Sequence, residues 1–318
     1  MGTAARERLT AASERPAERP RPVARRTRLI GYLAALAAVL LSLPAAAAPA
    51  AWRIPGENGG EVVLLGSMHV LRASDYPLPP LVDQLYAQAD TLVMELDLDD
   101  PKLGAQQATL LEAASLPEGT VLRDVVDANL YRLAERHARG LGLDLGLLDH
   151  MEPWLVAITL LDVGMQRIGF EAQRGLERYL VGKAAANHKE IVGLESLAKQ
   201  IGIFADLSAD DQEAMLAQTL QELDGADAAM SDLVSAWRDG RLDVLSESLI
   251  EDFGDFPELY ETLVTERNDQ WTVELERMLR DGRRYLVVVG ALHLVGRDSV
   301  VDRLTARGHP VVRVGATN

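Results

Sequence analysis

Two apolar runs near opposite ends of the chain end in the same four-residue pattern. Residues 61–69 read EVVLLGSMH and residues 285–293 read YLVVVGALH, so each β-branched run closes on Gly-x-x-His. A polar loop, a helical stretch and a second β-like run follow each one, the second runs being 91–97 and 309–314. Strand, turn, helix and strand in this order make a βα-β unit, and its recurrence predicts an internal duplication.

Between these two units the apolar spacing is helical over most of residues 101–280. The exception is EIVGL at 190–194, which is typical of a short strand. The predicted fold is mixed α/β (α+β): two duplicated βα-β halves, each carrying Gly-x-x-His, with a large helical insert between them. The predicted helices are 79–90 in the first unit and 121–138, 153–163, 170–186, 208–223 and 257–279 in the insert.

The first 48 residues have the pattern of a secretory signal peptide. Four arginines between positions 21 and 28 precede an apolar run of 15 residues at 29–43, and alanines at 45–48 supply a cleavage region. The apolar run is shorter than an ordinary membrane span, which favours a cleaved signal peptide. An uncleaved single-span anchor is the alternative. We therefore expect a secreted or periplasmic protein whose mature domain covers residues 52–318.

Removing that segment makes the remaining chain strongly acidic. The 318 residues carry a formal charge of −16, and residues 1–48 hold eight arginines and three glutamates, a net +5, so the remainder carries −21. This charge argues against nucleic-acid partners and anionic membranes and favours cationic ligands or metal ions. Membrane contact is expected only through the N-terminal segment, if it stays uncleaved. The absence of cysteine excludes disulfides, thiolate nucleophiles and cysteine-bound metals.

The two histidines of the repeated pattern, His69 and His293, are the main candidates for a functional site. Ligands in α/β sheets gather beyond the carboxyl ends of the strands, and each histidine directly follows such an end. Glu95 lies at the end of the strand that follows the first histidine. If the two halves pack together, two imidazoles and one carboxylate converge, which describes a catalytic divalent metal site. The alternative is that each histidine is a hydrogen-bonded structural residue.

Three other polar residues are candidates for the same cleft. Glu195 follows the apolar run 191–194 and either points into the cleft or acts as a carboxylate at a helix N-terminus. Arg267 and Asn268 are neighbours on the helix predicted over 257–279. Adjacent helix positions diverge by about 100°, so both can reach one cleft only near its edge. The alternative for these two is a solvated face, or an ion pair with Glu266 or Glu274.

Several common active-site motifs do not occur in the sequence. It contains no Gly-x-Ser-x-Gly elbow, no Walker loop, no dinucleotide-binding fingerprint and no His-Glu-x-x-His helix. Any metal site must therefore be assembled by tertiary structure from residues far apart in the chain.

Several short segments together resemble the TraB/GumN family. They are GSMHVL and GALHL around the two histidines, YPLP at 76–79, ADTLVMELD at 89–97, MEPW at 151–154, GLES at 193–196 and ERN at 266–268. The resemblance covers nearly all of the chain from about residue 52 to the C-terminus. The superfamily includes the Tiki metalloproteases and is distantly similar to erythromycin esterase and ChaN-type proteins.

The resemblance implies a fold of two small β-sheets, one from each half, and a large helical insert. It implies an active site formed by His69 and His293 with Glu95 as the acidic partner. It also implies a divalent metal such as Mn²⁺ or Co²⁺, while two imidazoles and a carboxylate also suit Zn²⁺ or Fe²⁺. Bacterial members named GumN are found in exopolysaccharide gene clusters, which is a genetic association rather than a chemical one.

Other segments match the family less completely. Glu195, Arg267 and Asn268 match further family positions, but the resemblance defines no role for them. The segment GLE at 175–177 departs from the family, which has aspartate in the third place. We therefore predict no role for that segment.

The resulting hypothesis is a secreted or periplasmic metal-dependent hydrolase of peptide or protein substrates, similar to a Tiki metallopeptidase. His69, Glu95 and His293 would hold the metal, Glu195 or Glu95 would act as general base, and Arg267 would stabilise the oxyanion. Two alternatives stay open. One is a non-catalytic periplasmic ligand-binding protein of exopolysaccharide export or of haem or metal handling, and the other is a small-ester hydrolase. The sequence defines neither the substrate nor the oligomeric state.

Overall fold

Six strands in the described part of the chain form one mixed β-sheet. The computed structural model describes residues 48–251, 253 and 257–315, so the signal peptide predicted over residues 1–48 lies outside this range apart from its last residue. The strands are β1 (Ala51–Pro55), β2 (Glu61–Ser67), β3 (Thr91–Met94), β4 (Glu190–Gly193), β5 (Arg284–Gly290) and β6 (Val312–Arg313). Their order in the sheet is β4-β3-β5-β2-β1-β6.

The centre of the sheet is parallel. Strand β5 pairs in parallel with β2 on one side and with β3 on the other, and β3 pairs in parallel with β4. Strand β1 is antiparallel to both β2 and β6. The expectation of two small sheets is therefore wrong, because β5 inserts between β2 and β3 and joins both halves in one continuous sheet. The strand predicted over 190–194 is confirmed as β4.

The two predicted βα-β units are present but are not placed equivalently. Strand β3, which ends the first unit, lies directly beside β5. Strand β6, which ends the second unit, is separated from β2 by the antiparallel strand β1. The mixed α/β class is thus confirmed, whereas the internal duplication stays a prediction.

Most of the predicted helices are present within the described residues. The helix predicted over 208–223 begins after Ser208, whose side chain accepts a hydrogen bond from the backbone N–H of Asp211. The single helix predicted over 121–138 is wrong, because Asp127 separates two helices and caps the second by accepting from the N–H of Asn129. The helices are α1 (Pro80–Gln88), α2 (Leu103–Ala113), α3 (Leu122–Val125), α4 (Ala128–Leu141), α5 (Pro153–Arg167), α6 (Leu176–Asn187), α7 (Leu197–Ala205), α8 (Ala209–Glu222), α9 (Ala226–Asp239), α10 (Leu242–Glu251), α11 (Pro257–Tyr260), α12 (Glu266–Met278) and α13 (Val300–Ala306).

Two apolar cores hold these elements together. The larger surrounds the sheet, and the smaller lies among α4, α5 and α8, where Leu130, Leu160 and Leu216 are buried.

The helix predicted over 257–279 contains a π-helical segment, Glu261–Thr265, directly before α12. Such segments are common at functional sites. Within the described ranges, no helix has the length and apolar character needed to cross a membrane.

The register between β2 and β5 brings the two Gly-x-x-His turns to the same edge of the sheet. Gly66 lies opposite Val289, and Ser67 lies opposite Gly290. Both strands are buried along almost their whole length, as expected for apolar β-branched runs at the centre of a parallel sheet. The two histidines therefore follow neighbouring strands, and Glu95 follows β3 at the same edge.

Candidate active site

The start of α6 packs against the turn that carries His69. The backbone N–H of Leu176 donates to the carbonyl of Met68 at 3.0 Å. Gly175 permits this approach, because a Cβ at that position would lie only 2.1 Å from the carbonyl oxygen of His69. The contact places Glu177, on the first turn of α6, beside the His69 imidazole.

His69 and Glu177 form an ion pair at the mouth of the cleft. The Nδ1 atom of His69 lies 2.7 Å from Oε1 of Glu177, and the hydroxyl of Ser67 donates to the same oxygen. The His69 side chain is 62% exposed, whereas that of Glu177 is 13% exposed. The negative charge of Glu177 is the main cause that raises the pKa of His69 to about 9. Burial alone would raise the pKa of Glu177, but the charge of His69 and the hydrogen bonds from His69 and Ser67 together outweigh burial and lower that pKa.

Glu95 is the first residue after β3, and each of its carboxylate oxygens has a partner. The Oε1 atom accepts a hydrogen bond from the backbone N–H of Gly290 at 2.8 Å, and Oε2 accepts one from Nη2 of Arg267 at 2.6 Å. Burial favours the protonated carboxyl, but the neighbouring imidazoles of His293 and His69 and the guanidinium of Arg267 outweigh it and lower the pKa of Glu95 to about 2. Glu95 is therefore ionised at neutral pH.

Gly290 forms the floor between His69 and Glu95. A Cβ on this residue would lie 3.0 Å from Nε2 of His69 and 3.4 Å from Oε1 of Glu95. The two functional groups thus face the same space above a backbone that carries no side chain. A bulkier residue in the Gly-x-x-His turn would enter this space, so the glycine has a role beyond backbone conformation.

His293 lies deeper than His69 and is held on both ring nitrogens by adjacent residues of α12. Its Nδ1 atom lies 2.8 Å from Oδ1 of Asn268, whose amide nitrogen donates to the carbonyl of Asp298. This network assigns the proton to Nδ1 and leaves Nε2 to accept from Nη1 of Arg267 at 3.1 Å. Burial is the main cause that lowers the pKa of His293 to about 3, so the ring is neutral. Arg267 and Asn268 therefore both contact one buried ring, because its two nitrogens face different sides.

Arg267 is buried at the centre of the polar network. Its Nε and Nη2 atoms donate to Glu195, Nη2 also donates to Glu95, and Nη1 donates to the carbonyl of Leu263 in the π-helical segment. With the contact to His293, all five N–H donors of the guanidinium have acceptors. The solvated face considered from the sequence is wrong, since the Arg267 side chain is 7% exposed. Burial disfavours the charged form, but the carboxylates outweigh it and raise the pKa of Arg267.

Glu195 lies behind Arg267 and does not border the cleft. Its side chain is 1% exposed, and it pairs with Arg267, with Nζ of Lys199 at 3.2 Å and with Nε2 of Gln200 at 2.9 Å. It also directly precedes Ser196, which caps α7, so the helix-terminus interpretation holds as well. The structure thus assigns Glu195 to the support of Arg267 and places Glu95 nearer to solvent.

Two cavities meet at His69 and Glu95. One has a volume of about 270 Å³ and is also bordered by Leu98, Glu177 and Gln200. The other has a volume of about 310 Å³ and extends towards α9 and α10. Because both cavities are bordered by the same two side chains, a molecule that occupied both would pass directly over His69 and Glu95.

The three predicted metal ligands do not form one open donor set in this arrangement. Nη1 of Arg267 faces Nε2 of His293, and Nη2 faces Oε2 of Glu95, so a cation already lies between two of the three. Among the described residues, no group of three or more His, Asp or Glu side chains is spaced to hold a metal ion. A metal bound by His69, Glu95 and His293 would require Arg267 to move away.

The main residue that the sequence did not point to is Glu177. It stands in the segment 175–177, for which no role was predicted because it departs from the family pattern. The available signal was a carboxylate at the expected position of the family's aspartate, with a side chain one methylene longer. Ser67 and Gln200 also join the network and were not predicted, because their contacts with Glu177 and Glu195 depend on the packing of α6 and α7.

Comparison with known proteins identifies relatives along almost the whole described chain. The model of the TraB/PrgY/gumN family matches residues 50–313. The uncharacterized protein YbaP of Shigella flexneri is 26% identical over 254 residues, which cover 79% of this chain and 89% of that protein. The uncharacterized protein YbaP of Escherichia coli (strain K12) is 26% identical over 244 residues, covering 76% of this chain and 86% of that protein. No solved structure matches the chain. The resemblance seen in the short motifs is confirmed, and the chain belongs to the TraB/PrgY/gumN family.

Proposed function

We propose that this protein is a hydrolase in which His69 is the general acid and Glu95 is the base that holds the attacking water. The observation that carries the proposal is the pair itself. The two side chains face the same space above Gly290, and their pKa values are displaced in opposite directions, to about 9 and about 2. Two titratable groups whose environments separate their pKa values in this way are typical of an acid and a base at one site.

The reaction balances with these two groups alone. Glu95 accepts a hydrogen bond from a water molecule above Gly290 and takes its proton as the water oxygen bonds to the substrate carbonyl carbon. His69 gives its Nε2 proton to the leaving nitrogen or oxygen as the bond from that atom to the carbonyl carbon breaks. The proton on Glu95 then passes to His69, which restores both groups for the next turnover.

The surrounding residues act through this pair. Glu177 keeps His69 protonated and holds its ring by Nδ1. Arg267 is a positioning residue, because all of its N–H donors are engaged and it has none left for an oxyanion; it holds Glu95 ionised. Glu195 and His293 hold Arg267 in turn, and Asn268 holds His293.

A panel of fluorogenic peptides and p-nitrophenyl esters tests the proposal. His69→Asn and Glu95→Gln should each lower kcat/KM by about 10²–10⁴-fold, the usual contribution of a general acid or base. The matched control is His309→Asn, since His309 also contacts a carboxylate, Glu276, at 3.1 Å but lies away from the cleft. Equal activity of His69→Asn and the wild type would overturn the assignment. Binding of a ligand such as haem, with no turnover of any substrate, would favour the non-catalytic binding protein.

A metal-dependent form of the same hydrolysis is the second candidate, and the family resemblance supports it. His69, Glu95 and His293 would hold the metal, which would polarise the substrate carbonyl as a Lewis acid when bound. His293 is neutral, so its Nε2 atom would have a free electron pair for a metal once Arg267 has moved. This property favours the metal-dependent form. Elemental analysis of the full chain and of a His69→Ala/His293→Ala variant tests it. About one equivalent in the wild type and none in the variant would support the metal, and none in either after addition of Mn²⁺ or Co²⁺ would exclude it.

We also propose that the chain is exported. The support is the basic and apolar pattern of residues 1–48, which lie outside the described structure except for the last. Fractionation of cells that produce the full chain, with mass spectrometry of the mature N-terminus, tests this. A cleaved product in the periplasm or medium agrees with a signal peptide, an uncleaved product in the membrane fraction agrees with the anchor, and an uncleaved cytoplasmic product contradicts both.

A further inference from the structure

The larger cavity beside His69 has an apolar wall opposite its polar floor. The floor is formed by the acid–base pair and the buried network behind it. The wall is formed by half-buried apolar side chains of α9, α10 and the segments that follow α10, namely Met230, Leu233, Leu249, Phe253 and Leu263. Met230, Leu233 and Leu249 pack against the main core on one side and border the cavity on the other, so they present a supported apolar surface to whatever enters.

We propose that this cavity is the subsite for an apolar side group next to the scissile carbonyl of the substrate. The inference rests on the proposed hydrolase function, since it takes the space above Gly290 as the place of the reacting bond. The volume of about 310 Å³ lies at the lower end of small-molecule pockets and suits one branched or aromatic group rather than an extended chain.

The second cavity on the other side of His69 has a different character. It is bordered by Glu177 and Gln200 as well as by Leu96 and Leu98, so it offers polar contacts to the other side of the scissile bond. The two cavities therefore differ in polarity, and the apolar group of the substrate belongs in the cavity bordered by Leu233. A carboxylate placed there would find every N–H of Arg267 already engaged, and burial of an unpaired charge is costly.

The shared chemistry of an apolar group beside a carbonyl occurs in both peptides and acyl esters. Two substrate series distinguish these sources: N-acetyl-Xaa-p-nitroanilides with Gly, Leu, Phe or Asp, and p-nitrophenyl acetate, isobutyrate and phenylacetate. In the series that is turned over, kcat/KM should rise at least about tenfold from the smallest to a larger apolar group, because one methylene in an apolar pocket is worth about 10–200-fold. In the peptide series the Asp substrate should be the slowest.

Two variants test the wall directly. Leu233→Gln and Met230→Gln keep roughly the side-chain length but place an amide in the cavity, and each should reduce the preference for the apolar substrate about tenfold or more. The control is Leu147→Gln, because Leu147 is 76% exposed and does not border the cavity. Thermal unfolding of all three variants shows whether they are folded, and having two independent wall variants keeps the test decisive if one is not.

A binding measurement separates this inference from the hydrolase proposal. The probe is 4-phenyl-1-butanol, which has an apolar group but no carbonyl, observed by ligand-detected NMR. Turnover without a preference for apolar groups, and probe binding unchanged in Leu233→Gln and Met230→Gln, would overturn the subsite and leave the hydrolase intact. No turnover of either series, with probe binding lost in both wall variants and kept in Leu147→Gln, would overturn the hydrolase and retain the cavity as a site for apolar groups.

Discussion

The Nδ1 atom of His69 lies 2.7 Å from Oε1 of Glu177, and this contact sets the protonation state of the exposed imidazole. The two residues are 108 positions apart in the chain. They meet because the start of α6 docks on the turn after β2, where Gly175 leaves room for the His69 carbonyl. Removing the charge of Glu177 while keeping its shape is therefore the most direct test of the site.

Glu177→Gln should lower the pKa of His69 from about 9 towards the ordinary value of 6.5. The reason is that the neutral amide no longer favours the imidazolium by charge. NMR titration of the His69 ring in the full chain, without added metal, measures the change. The control is Glu171→Gln, which removes a carboxylate that is 43% exposed and paired with Arg174 instead. A His69 pKa that is the same in both variants and the wild type would contradict the ion pair.

The pH dependence of hydrolysis follows from the same pKa. If His69 is the general acid, kcat/KM should fall as the pH rises through about 9, because the ring then loses the proton it must give. In Glu177→Gln the fall should begin at lower pH. An activity that instead rises with pH up to about 9 would contradict the acid role.

The ion pair between His69 and Glu177 also stabilises the folded protein. Its contribution to the free energy of unfolding is fully present below about pH 6.5 and is lost as the pH rises through about 9.

Gly290→Ala should reduce activity far more than stability. The added methyl group would press on His69 Nε2 and Glu95 Oε1, and a displacement of reacting groups by about 1 Å can cost about 10²-fold in rate. The backbone of Gly290 has negative φ, so alanine is not strained there. The matched control is Gly182→Ala in α6, where nothing lies within 4 Å of the new Cβ and about 0.5–1 kcal/mol of stability should be gained. Kinetics and urea unfolding of both variants measure these effects, and full activity of Gly290→Ala would contradict the shared space above it.

Arg267→Met should destabilise the protein by about 3–5 kcal/mol, because it removes the buried cation shared by Glu95 and Glu195 and leaves Glu195 with Lys199 alone. The loss should shrink at low pH, because without the charge of Arg267 the pKa of Glu95 rises and its carboxyl group becomes protonated. Arg277→Met is the control, since the Arg277 side chain is 65% exposed and its pair with Glu274 should be worth at most about 1 kcal/mol. Urea unfolding at several pH values measures both, and equal small losses would show that Arg267 is not the essential counter-ion.

The elements that could be predicted from sequence are those with a strong local signal. The apolar β-branched runs predicted β2 and β5, and Ser208 with Asp211 predicted the start of α8. The break at Asp127 was missed because its own cap competes with the helical periodicity around it. The π-helical segment before Arg267 was also missed, since its apolar spacing is that of an ordinary helix.

The sequence by itself determined that His69, Glu95 and His293 follow strand ends, because strands and glycine turns are local features of the chain. Only the tertiary structure decided what each residue contacts. Insertion of β5 between β2 and β3 brought the three strand ends to one edge, docking of α6 supplied Glu177, and burial of α12 placed Arg267 between Glu95 and His293. These contacts join residues that are many positions apart, and the charge and burial that shift their pKa values exist only once the chain has folded.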